Sequence, residues 1–349
     1  MKALVLAPMT AQSLALLRAL ATVTYESWSE TLRLADPEEL GRRIASEGYA
    51  ILVVEADFLP HELFQIAAGL RLVAVARNSV AHVDLTSATR HGVAVVNTPG
   101  RNAQAVAELT IGLMLALARR ISYLDSYVKS GQWESPWEPY TSPGMRGVEL
   151  AGKTLGIVGL GRIGCRVARL AQGFDMRISA YDPYLREPPA GQNFSDAPSR
   201  IDDMVDDLTD LVSQADYISV HVPDTPETQG LLSREHLAAA KASCRIINTS
   251  AYHAVDETAL VDALKAGHLA GAAFDVFPTH PITPNNPLLN LDNVVLTPHI
   301  GGATEETIAR HSMMIVEDIE RFLGGQIPLR IVNPEVWPHL WPEVSATIG

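Results

Sequence analysis

Three glycines in the segment GLGRIG, at Gly159, Gly161 and Gly164, have the spacing of phosphate-binding loops. The segment follows an apolar run at 154–158 that is typical of a buried strand, and it opens a run at 162–172 that is typical of a helix. In such loops the first glycine permits a tight turn and the second lets the backbone approach a pyrophosphate. The third glycine lets the helix pack closely on the strand, and the N–H groups at the start of the helix bind the phosphates.

A second predicted strand, RISAYD, ends in Asp182, eighteen residues after Gly164. A carboxylate at this place can accept hydrogen bonds from both hydroxyls of a ribose, and it would repel a 2′-phosphate. The pattern therefore predicts a site for NAD(H) that disfavours NADP(H). The alternative is a glycine-rich turn without a ligand, which the complete strand, loop, helix and strand context argues against.

The segment RIINTSAYHAVDE at 245–257 predicts a buried strand at 245–250, a loop at 251–254 and a helix capped by Asp256. Loops at the carboxyl ends of parallel strands are where α/β enzymes bind their ligands. Tyr252 could donate a proton or a hydrogen bond to a substrate oxygen, or it could simply pack in the core. His253, when protonated, is a candidate cation.

Strands and helices that must position these residues alternate along nearly the whole chain. Four strand-like runs lie in the first hundred residues, and six more follow from residue 154. A helix at about 102–120 and a Pro/Trp/Gly-rich stretch at 131–147 separate the two series, and a last helix is predicted at about 304–323. The Pro/Trp-rich tail at 327–349 is predicted to pack as an arm. Continuous apolar strands between helices predict an α/β fold with doubly wound parallel sheets.

The composition is that of a globular protein with two domains. The chain has 349 residues, of which 47% are hydrophobic, and a net charge of −13. This charge argues against nucleic acid or an anionic membrane as a partner. The two cysteines, Cys165 and Cys244, form no disulfide framework, so we expect a soluble cytoplasmic protein. The histidines show no convincing metal-ligand spacing, so no metal is expected.

Several longer segments resemble the D-isomer-specific 2-hydroxyacid dehydrogenases, in the same order along the chain. They are VAVVNTPGRNAQAVAELTIGLMLALARR (93–120), GKTLGIVGLGRIG (152–164), YDPY (181–184), ADYISVHVPDTPETQGLL (215–232), VDETALVDALKAGHLAGAAFDVF (255–277) and NPLLNLDNVVLTPHIGGAT (286–304). The resemblance implies two Rossmann-like domains with an interdomain cleft that holds the active site. Residues 1–100 plus 300–349 would form a flavodoxin-like substrate domain and 101–299 an NAD-binding Rossmann domain. It also implies a homodimer.

The resemblance also implies which side chain moves the proton. In this family a histidine of a T-P-H-x-G-G motif exchanges a proton with the substrate oxygen while hydride moves to or from the nicotinamide. The motif matches residues 297–302, so His299 is the implied general acid/base. The alternative is a loop histidine that only hydrogen-bonds the backbone.

Two further catalytic positions depart from the family pattern. The family has an arginine in N-T-A-R that binds the substrate carboxylate. Here residues 248–251 read NTSA, so Ala251 stands at the arginine position. The family has a glutamate between D-V-F-x-x and a proline. Here residues 275–281 read DVFPTHP, so His280 stands at the glutamate position. Two neighbouring imidazoles disfavour double protonation, so His280 would not support an imidazolium at His299 as a glutamate does.

Without an arginine at position 251, another cation would have to hold a substrate carboxylate. The candidates are Arg77, Arg101, His253 and His280. For the two arginines the alternative is contact with solvent or a phosphate. The loop after Arg77 adds candidates for substrate binding, because Asn78 and Ser79 could bind hydroxyls and the N–H groups of Ser79 and Val80 could bind a carboxylate.

Further cofactor contacts are implied by the resemblance at positions around the glycine loop and the ends of the later strands. They are Arg162, Ile163, Pro183, Val222, Pro223, Thr228, Thr249, Ser250, Ala251, Asp275, His299, Gly301 and Gly302.

Three functions fit these residues, each with a small molecule as partner. The first is an NAD-dependent oxidoreductase for a hydroxy acid or its keto form, with a rebuilt anion site. The second is an NAD-dependent oxidoreductase for a substrate without the usual carboxylate, such as a lactone, ketone or phosphonate. The third is an NAD(H)-binding sensor without turnover, which the retention of His299 argues against.

Overall fold

A computed structural model describes residues 1–142, 144–185 and 201–340. The strands in these residues are β1 Lys2–Val5, β2 Thr22–Tyr25, β3 Ile51–Val54, β4 Leu72–Val75, β5 Ala94–Val96, β6 Thr154–Val158, β7 Arg177–Tyr181, β8 Asp203–Met204, β9 Tyr217–Val220, β10 Arg245–Asn248, β11 Gly271–Phe274 and β12 Val294–Leu296. The helices are α1 Ala11–Leu20, α2 Trp28–Thr31, α3 Pro37–Glu47, α4 His61–Ile66, α5 Leu85–Arg90, α6 Ala103–Arg119, α7 Ile121–Lys129, α8 Glu138–Thr141, α9 Arg162–Gln172, α10 Leu208–Gln214, α11 Arg234–Ala239, α12 Glu257–Lys265, α13 Glu305–Leu323 and α14 Trp337–Leu340.

The chain crosses twice between two compact units. The first unit holds Met1–Arg101 and Thr304–Gly349, and the second holds Asn102–Ala303. The second crossing thus falls after Ala303, four residues beyond the boundary at residue 299 that the sequence predicts. His299 and the two glycines that follow it therefore belong to the second unit.

The first unit contains a five-stranded parallel sheet in the order β2-β1-β3-β4-β5, which is the flavodoxin-like order. Its strands are continuous apolar runs, such as ILVV in β3, because helices cover both faces. Helices α1 and α13 pack on one face through Leu17 and Ile319, and α3 and α4 pack on the other through Ile44 and Leu63. Strand β2 was not predicted from the sequence, because TVTY is short and only half-buried at the sheet edge.

The second unit contains a seven-stranded parallel sheet in the order β12-β11-β10-β9-β6-β7-β8. This is the Rossmann order with one added strand, and the strand order reverses between β6 and β9, where such sheets bind ligands. Helices α6 and α9 cover one face and α10 to α12 the other. The predicted α/β class with two doubly wound parallel sheets is confirmed. The two-residue edge strand β8 was not predicted, because it is too short to show a pattern.

The segment at 245–257 folds nearly as predicted. Strand β10 ends at Asn248, two residues earlier than expected, and the loop contains a 3₁₀ turn at Tyr252–Ala254. Asp256 is confirmed as the cap of α12, since its side chain accepts the N–H of Ala259.

The C-terminal tail packs in the core of the first unit as far as it is described. Val336 and Trp337 are buried there, and residues 341–349 of the predicted arm lie outside the described residues. No helix among the described residues combines the length and apolar character needed to cross a membrane.

Candidate active site

The glycine loop between β6 and α9 has the geometry that its sequence predicts. Gly159 has a φ of +93°, and a Cβ there would lie 2.8 Å from the carbonyl oxygen of His221 and 3.1 Å from the side chain of Val222. A Cβ at Gly164 would collide with the carbonyl oxygen of Gly159. At Gly161 no atom lies within 4 Å of such a Cβ, which leaves room for a pyrophosphate.

The first turn of α9 is available to a phosphate. Gly161 precedes the helix and brings no side chain to cap it, so the first N–H groups of the helix can bind an anion. Arg162 is exposed at the first position of the helix, whereas Ile163 is half-buried and packs against the core.

Asp182 follows β7 and is fixed beside this loop. Its Oδ2 accepts the N–H of Leu160 at 2.9 Å, and its Oδ1 accepts the N–H of Tyr184 at 3.0 Å. A carboxylate accepts about four hydrogen bonds, so it can still accept both hydroxyls of a ribose. Pro183 is exposed next to it.

Hydroxyl groups fix the loops after β9 and β10. Thr228 donates to the carbonyl of Pro223 at 2.6 Å, and Ser250 donates to the carbonyl at the end of β9 at 2.8 Å. The hydroxyls of Thr249 and Thr110 lie 3.0 Å apart. These bonds hold the shape of the strand ends that would receive a cofactor.

Asp275, one residue past β11, anchors the loop that carries His299. The carboxylate is 1% exposed and accepts the hydroxyl of Thr297 at 2.6 Å and the N–H groups of Ile300 and Gly301 at 2.8 and 2.7 Å. A Cβ at Gly301 would lie 2.9 Å from this carboxylate, so the loop requires glycine here. Three charge-assisted bonds hold the histidine loop in one conformation.

His299 and His280 form a contact pair at the carboxyl edge of the second sheet. Nδ1 of His299 lies 2.7 Å from Nε2 of His280, and the ring centroids are 4.7 Å apart. Both side chains are exposed. His299 has a φ of +57°, in a region that few residues other than glycine adopt. Gly302 follows in the same loop, where a Cβ would lie 3.2 Å from the side chain of Asn102.

Ala251 completes a row of three strand ends. It follows β10, His280 follows β11 and His299 follows β12, and these are neighbouring parallel strands. Ala251 is 2% exposed, and its carbonyl accepts the side-chain amide of Asn248 at 2.8 Å. The three positions that the family resemblance singles out thus lie at one sheet edge.

Comparison with known proteins decides the family. The model of the D-isomer specific 2-hydroxyacid dehydrogenase NAD-binding domain matches residues 111–301. A glyoxylate reductase of Thermofilum pendens is 41% identical over 300 residues, which is 86% of this chain and 85% of that protein. The chain belongs to the D-isomer-specific 2-hydroxyacid dehydrogenase family. It is an NAD-dependent oxidoreductase that acts on CH–OH groups.

The chain is also similar to a second curated protein and to a solved structure. A D-3-phosphoglycerate dehydrogenase of Methanocaldococcus jannaschii is 38% identical over 296 residues, which is 85% of this chain and 53% of that longer protein. The crystal structure of the TT0316 protein of Thermus thermophilus superposes with a TM-score of 0.81 at 36% identity, and it covers 95% of this chain and 100% of that one.

In this dehydrogenase we expect Asp182→Asn to relax the preference for NADH over NADPH. The amide keeps one oxygen that can accept the Leu160 N–H, whereas it gives up the bond from the Tyr184 N–H, and it no longer repels a 2′-phosphate. Kd values for both cofactors, measured by fluorescence titration, should show weaker NADH binding and stronger NADPH binding.

Asp182→Ala serves as the harsher comparison, because it also removes the bond to the glycine loop. An unchanged ratio of the two Kd values in Asp182→Asn would contradict the role of Asp182 in ribose recognition.

Tyr252 and His253 of the dehydrogenase lie close to Ala251 but differ in exposure. The Tyr252 ring packs against Phe274 and Phe277 in the core, which favours the packing alternative. Burial raises the pKa of Tyr252 above its ordinary value, and its hydroxyl has no hydrogen-bond partner among the described residues. We therefore do not retain Tyr252 as a proton donor. His253 is exposed and contacts the edge of the Tyr252 ring.

Arg101 is held inside the first unit rather than presented to a substrate. Its guanidinium lies 2.6 Å from Glu55 and 2.7 Å from Nδ1 of His311, with 12% of the side chain exposed. Nε2 of His311 lies 2.7 Å from the carbonyl of Pro8, so Nε2 carries the proton and Nδ1 accepts from Arg101. Burial lowers the pKa of His311, which agrees with a neutral ring. This ion pair removes Arg101 from the candidate substrate cations.

Arg77 is exposed one residue beyond the buried Ala76 that follows β4, and Asn78 and Ser79 are exposed beside it. The N–H groups of Asn78, Ser79 and Val80 donate no hydrogen bond to the described residues. Burial first, and then the charge of Arg77, lower the pKa of His82. The loop therefore offers a cation and backbone donors together.

The roles of Glu55 and His311 were not predicted from the sequence. Glu55 directly follows β3, and a charged residue straight after a buried parallel strand is a signal that could have found it. No pattern marked His311, because it lies on α13, more than two hundred residues from Arg101 in the chain.

Proposed function

We propose that this dehydrogenase interconverts a 2-hydroxy acid and its 2-oxo acid with His299 as the general acid/base and His280 as its partner. The observation that carries the proposal is the 2.7 Å contact between His299 and His280 on a loop that Asp275 fixes. A sensor without turnover would need neither an oriented histidine nor a partner for it.

The proton chemistry follows from the contact. Because His280 uses Nδ1 of His299, proton exchange with the substrate falls to Nε2. When bound, NADH supplies the hydride, which forms a C–H bond at the carbonyl carbon as the cofactor is oxidised. His299 supplies the proton: its Nε2–H bond breaks, an O–H bond forms on the former carbonyl oxygen, and the oxo acid is reduced to the hydroxy acid. The reverse direction returns this proton to Nε2.

The substrate carboxylate needs a donor other than the residue at position 251, which is an alanine. We assign this role to Arg77 with the N–H groups of Ser79 and Val80, since Arg77 is exposed whereas Arg101 is paired with Glu55. A guanidinium and two amides form oriented, charge-assisted bonds to a carboxylate. The homodimer and the cytoplasmic location stay predictions.

Ala251→Arg tests where the carboxylate binds. If Arg77 is the anchor, the wild type already reduces small 2-oxo acids such as glyoxylate, and the added arginine lowers KM by no more than a few-fold. The measurement is steady-state NADH oxidation against a panel of oxo acids, with NAD reduction against hydroxy and sugar acids. Ala251→Gln, which is long but uncharged, separates charge from bulk.

Each other outcome identifies a different function. Reduction of oxo acids only by Ala251→Arg would show that the wild type acts on a substrate without the usual carboxylate. NADH binding without turnover in either protein, on any compound of the panel, would favour a sensor. Unchanged KM in an Arg77→Gln variant would contradict the anchor assigned here.

A further inference from the structure

The first unit holds a cavity of about 210 Å³ at the carboxyl edge of its five-stranded sheet. Three of the residues that line it follow strands: Leu6 comes directly after β1, Glu26 directly after β2, and Asp57 three residues after β3. The strand order of this sheet reverses between β1 and β3. Ligands of doubly wound sheets bind in the crevice at this point, so the fold favours a ligand at the cavity.

Asp57 brings a buried oxygen without a partner to this cavity. The residue is 1% exposed, and its Oδ1 accepts the N–H of Ala35 at 3.0 Å. Its Oδ2 is also buried, but it has no hydrogen-bond partner among the described residues. Burial raises the pKa of the Asp57 carboxyl above its ordinary value. A ligand that donates a hydrogen bond to Oδ2 would offset the free energy that this burial costs.

The charges that line the cavity favour a cation. The charged side chains are four acids and two arginines: Glu26, Asp36, Glu39, Asp57, Arg33 and Arg43. Arg43 is already paired, because its guanidinium donates to both carboxylate oxygens of Glu26 at 2.6 and 2.8 Å. The remaining acids outnumber the remaining arginine, so an ionised Asp57 would attract a positively charged donor.

The size and walls of the cavity suit a small organic cation rather than a metal ion. In the part of the chain that the structure describes, no three acidic, histidine or cysteine side chains are placed so that they could hold a metal ion together. Leu6, Leu34 and Leu40 supply apolar walls beside the acids. The volume is smaller than that of pockets for drug-sized ligands. A short alkyl chain that ends in a charged nitrogen matches both kinds of surface.

We propose that this cavity binds the primary ammonium group of a small organic molecule, with Oδ2 of Asp57 as its acceptor. An ammonium carries three donors, one for Oδ2 and two for the other acids of the cavity or for water. The alkyl chain packs on Leu34 and Leu40. The loop at 77–80, which we assign to the substrate carboxylate, is not among the segments that line this cavity. The inference therefore does not rest on the proposed function.

Amines and α-amino acids both carry an ammonium group, and Arg33 distinguishes them. Arg33 lines the same cavity and is exposed, and its side chain has no partner among the described residues. If its guanidinium binds a carboxylate, an α-amino acid binds more tightly than the matching amine. Norvaline is n-butylamine with a carboxylate on the carbon that carries the nitrogen, so the two form a matched pair. The uncharged equivalent of n-butylamine is 1-butanol.

Isothermal titration calorimetry on the full chain at neutral pH tests the proposal. We expect saturable binding of n-butylammonium or norvaline at one site, and no such binding of 1-butanol. Asp57→Asn should raise the Kd at least about tenfold, because the amide keeps the bond from Ala35 but loses the charge. Glu62→Gln is the matched control: it removes an exposed negative charge on α4, outside the cavity, and should leave the Kd unchanged.

A second variant decides if circular dichroism shows that Asp57→Asn does not fold. Glu39→Lys reverses an exposed charge that lines the cavity, and it should also raise the Kd several-fold. The absence of saturable binding for both charged probes would overturn the proposal. So would equal binding of 1-butanol, or an unchanged Kd in the deciding variant.

The comparison of the two charged probes identifies the ligand class. A lower Kd for norvaline than for n-butylammonium, lost in Arg33→Gln, would identify an α-amino acid. A Kd for norvaline that is equal or higher would identify an amine without a carboxylate. Either result supports the ammonium site, because both probes share that group.

Discussion

Replacing His299 with asparagine should lower kcat by about 10³-fold and leave the Kd for NADH within a few-fold of the wild type. The reason is that His299 is the side chain at this sheet edge that is oriented on both sides, by the Asp275 anchor of its loop and by His280. General acid–base catalysis contributes roughly 10²- to 10⁴-fold, and asparagine has no proton to exchange near neutral pH.

Asparagine is chosen because the backbone of residue 299 has a φ of +57°. Asparagine adopts this region more readily than most residues, whereas alanine would add strain to the loss of the imidazole. Single-turnover NADH oxidation and NADH fluorescence titration separate the chemical step from cofactor binding. His299→Ala should lose turnover as well, and normal turnover in either variant would remove His299 from the mechanism.

The second large effect is expected from Gly164→Ala, which should destabilise the second unit by at least about 2 kcal/mol and abolish NADH binding. The added Cβ collides with the carbonyl oxygen of Gly159, and a backbone atom of the glycine loop cannot rotate away as a side chain can. For a unit the size of Asn102–Ala303, unfolding by itself, we expect Tm to fall by about 4 °C or more. Thermal denaturation followed by circular dichroism measures the loss.

Two control variants separate the fold from the cofactor. In Gly161→Ala the Cβ meets no atom within 4 Å, so we expect a normal Tm but weaker NADH binding, because the methyl group occupies the space of the pyrophosphate. In Gly112→Ala, on the exposed side of α6, stability should rise by about 0.4–1 kcal/mol with NADH binding unchanged. Equal Tm values for Gly164→Ala and Gly161→Ala would contradict the close packing of helix on strand.

Much of the candidate cofactor site could be predicted from the sequence, because the residues that form it lie close together in the chain. The turn at Gly159, the close packing at Gly164 and the acid at the end of β7 are all set by residues within a short stretch of chain. The strands of both sheets were predictable for the same reason, since buried parallel strands are continuous apolar runs. Edge strands such as β2 lack this signal because one side of them faces solvent.

The contacts of the candidate catalytic and substrate-binding residues could not be predicted as well, because they join residues that are far apart in the chain. Nothing in the spacing of residues 280 and 299 gives a distance of 2.7 Å, which depends on β11 and β12 being neighbours. Arg101 is a candidate substrate cation by sequence, but in the structure it is paired with Glu55. Tyr252 looked reactive on a loop, yet its ring packs against Phe274 and Phe277.

The Arg101 ion pair joins loops that follow four of the five strands of the first unit. Arg101 follows β5 and donates to Glu55, which follows β3. Glu55 also accepts the indole N–H of Trp28, which follows β2. Arg101 further contacts His311, whose other ring nitrogen bonds the carbonyl of Pro8 after β1. Loops at the carboxyl edge of a parallel sheet usually diverge one at a time, which is how related enzymes acquire new specificities. Here a single guanidinium makes them interdependent, so in descendants of this chain these loops should be inherited or replaced as a set.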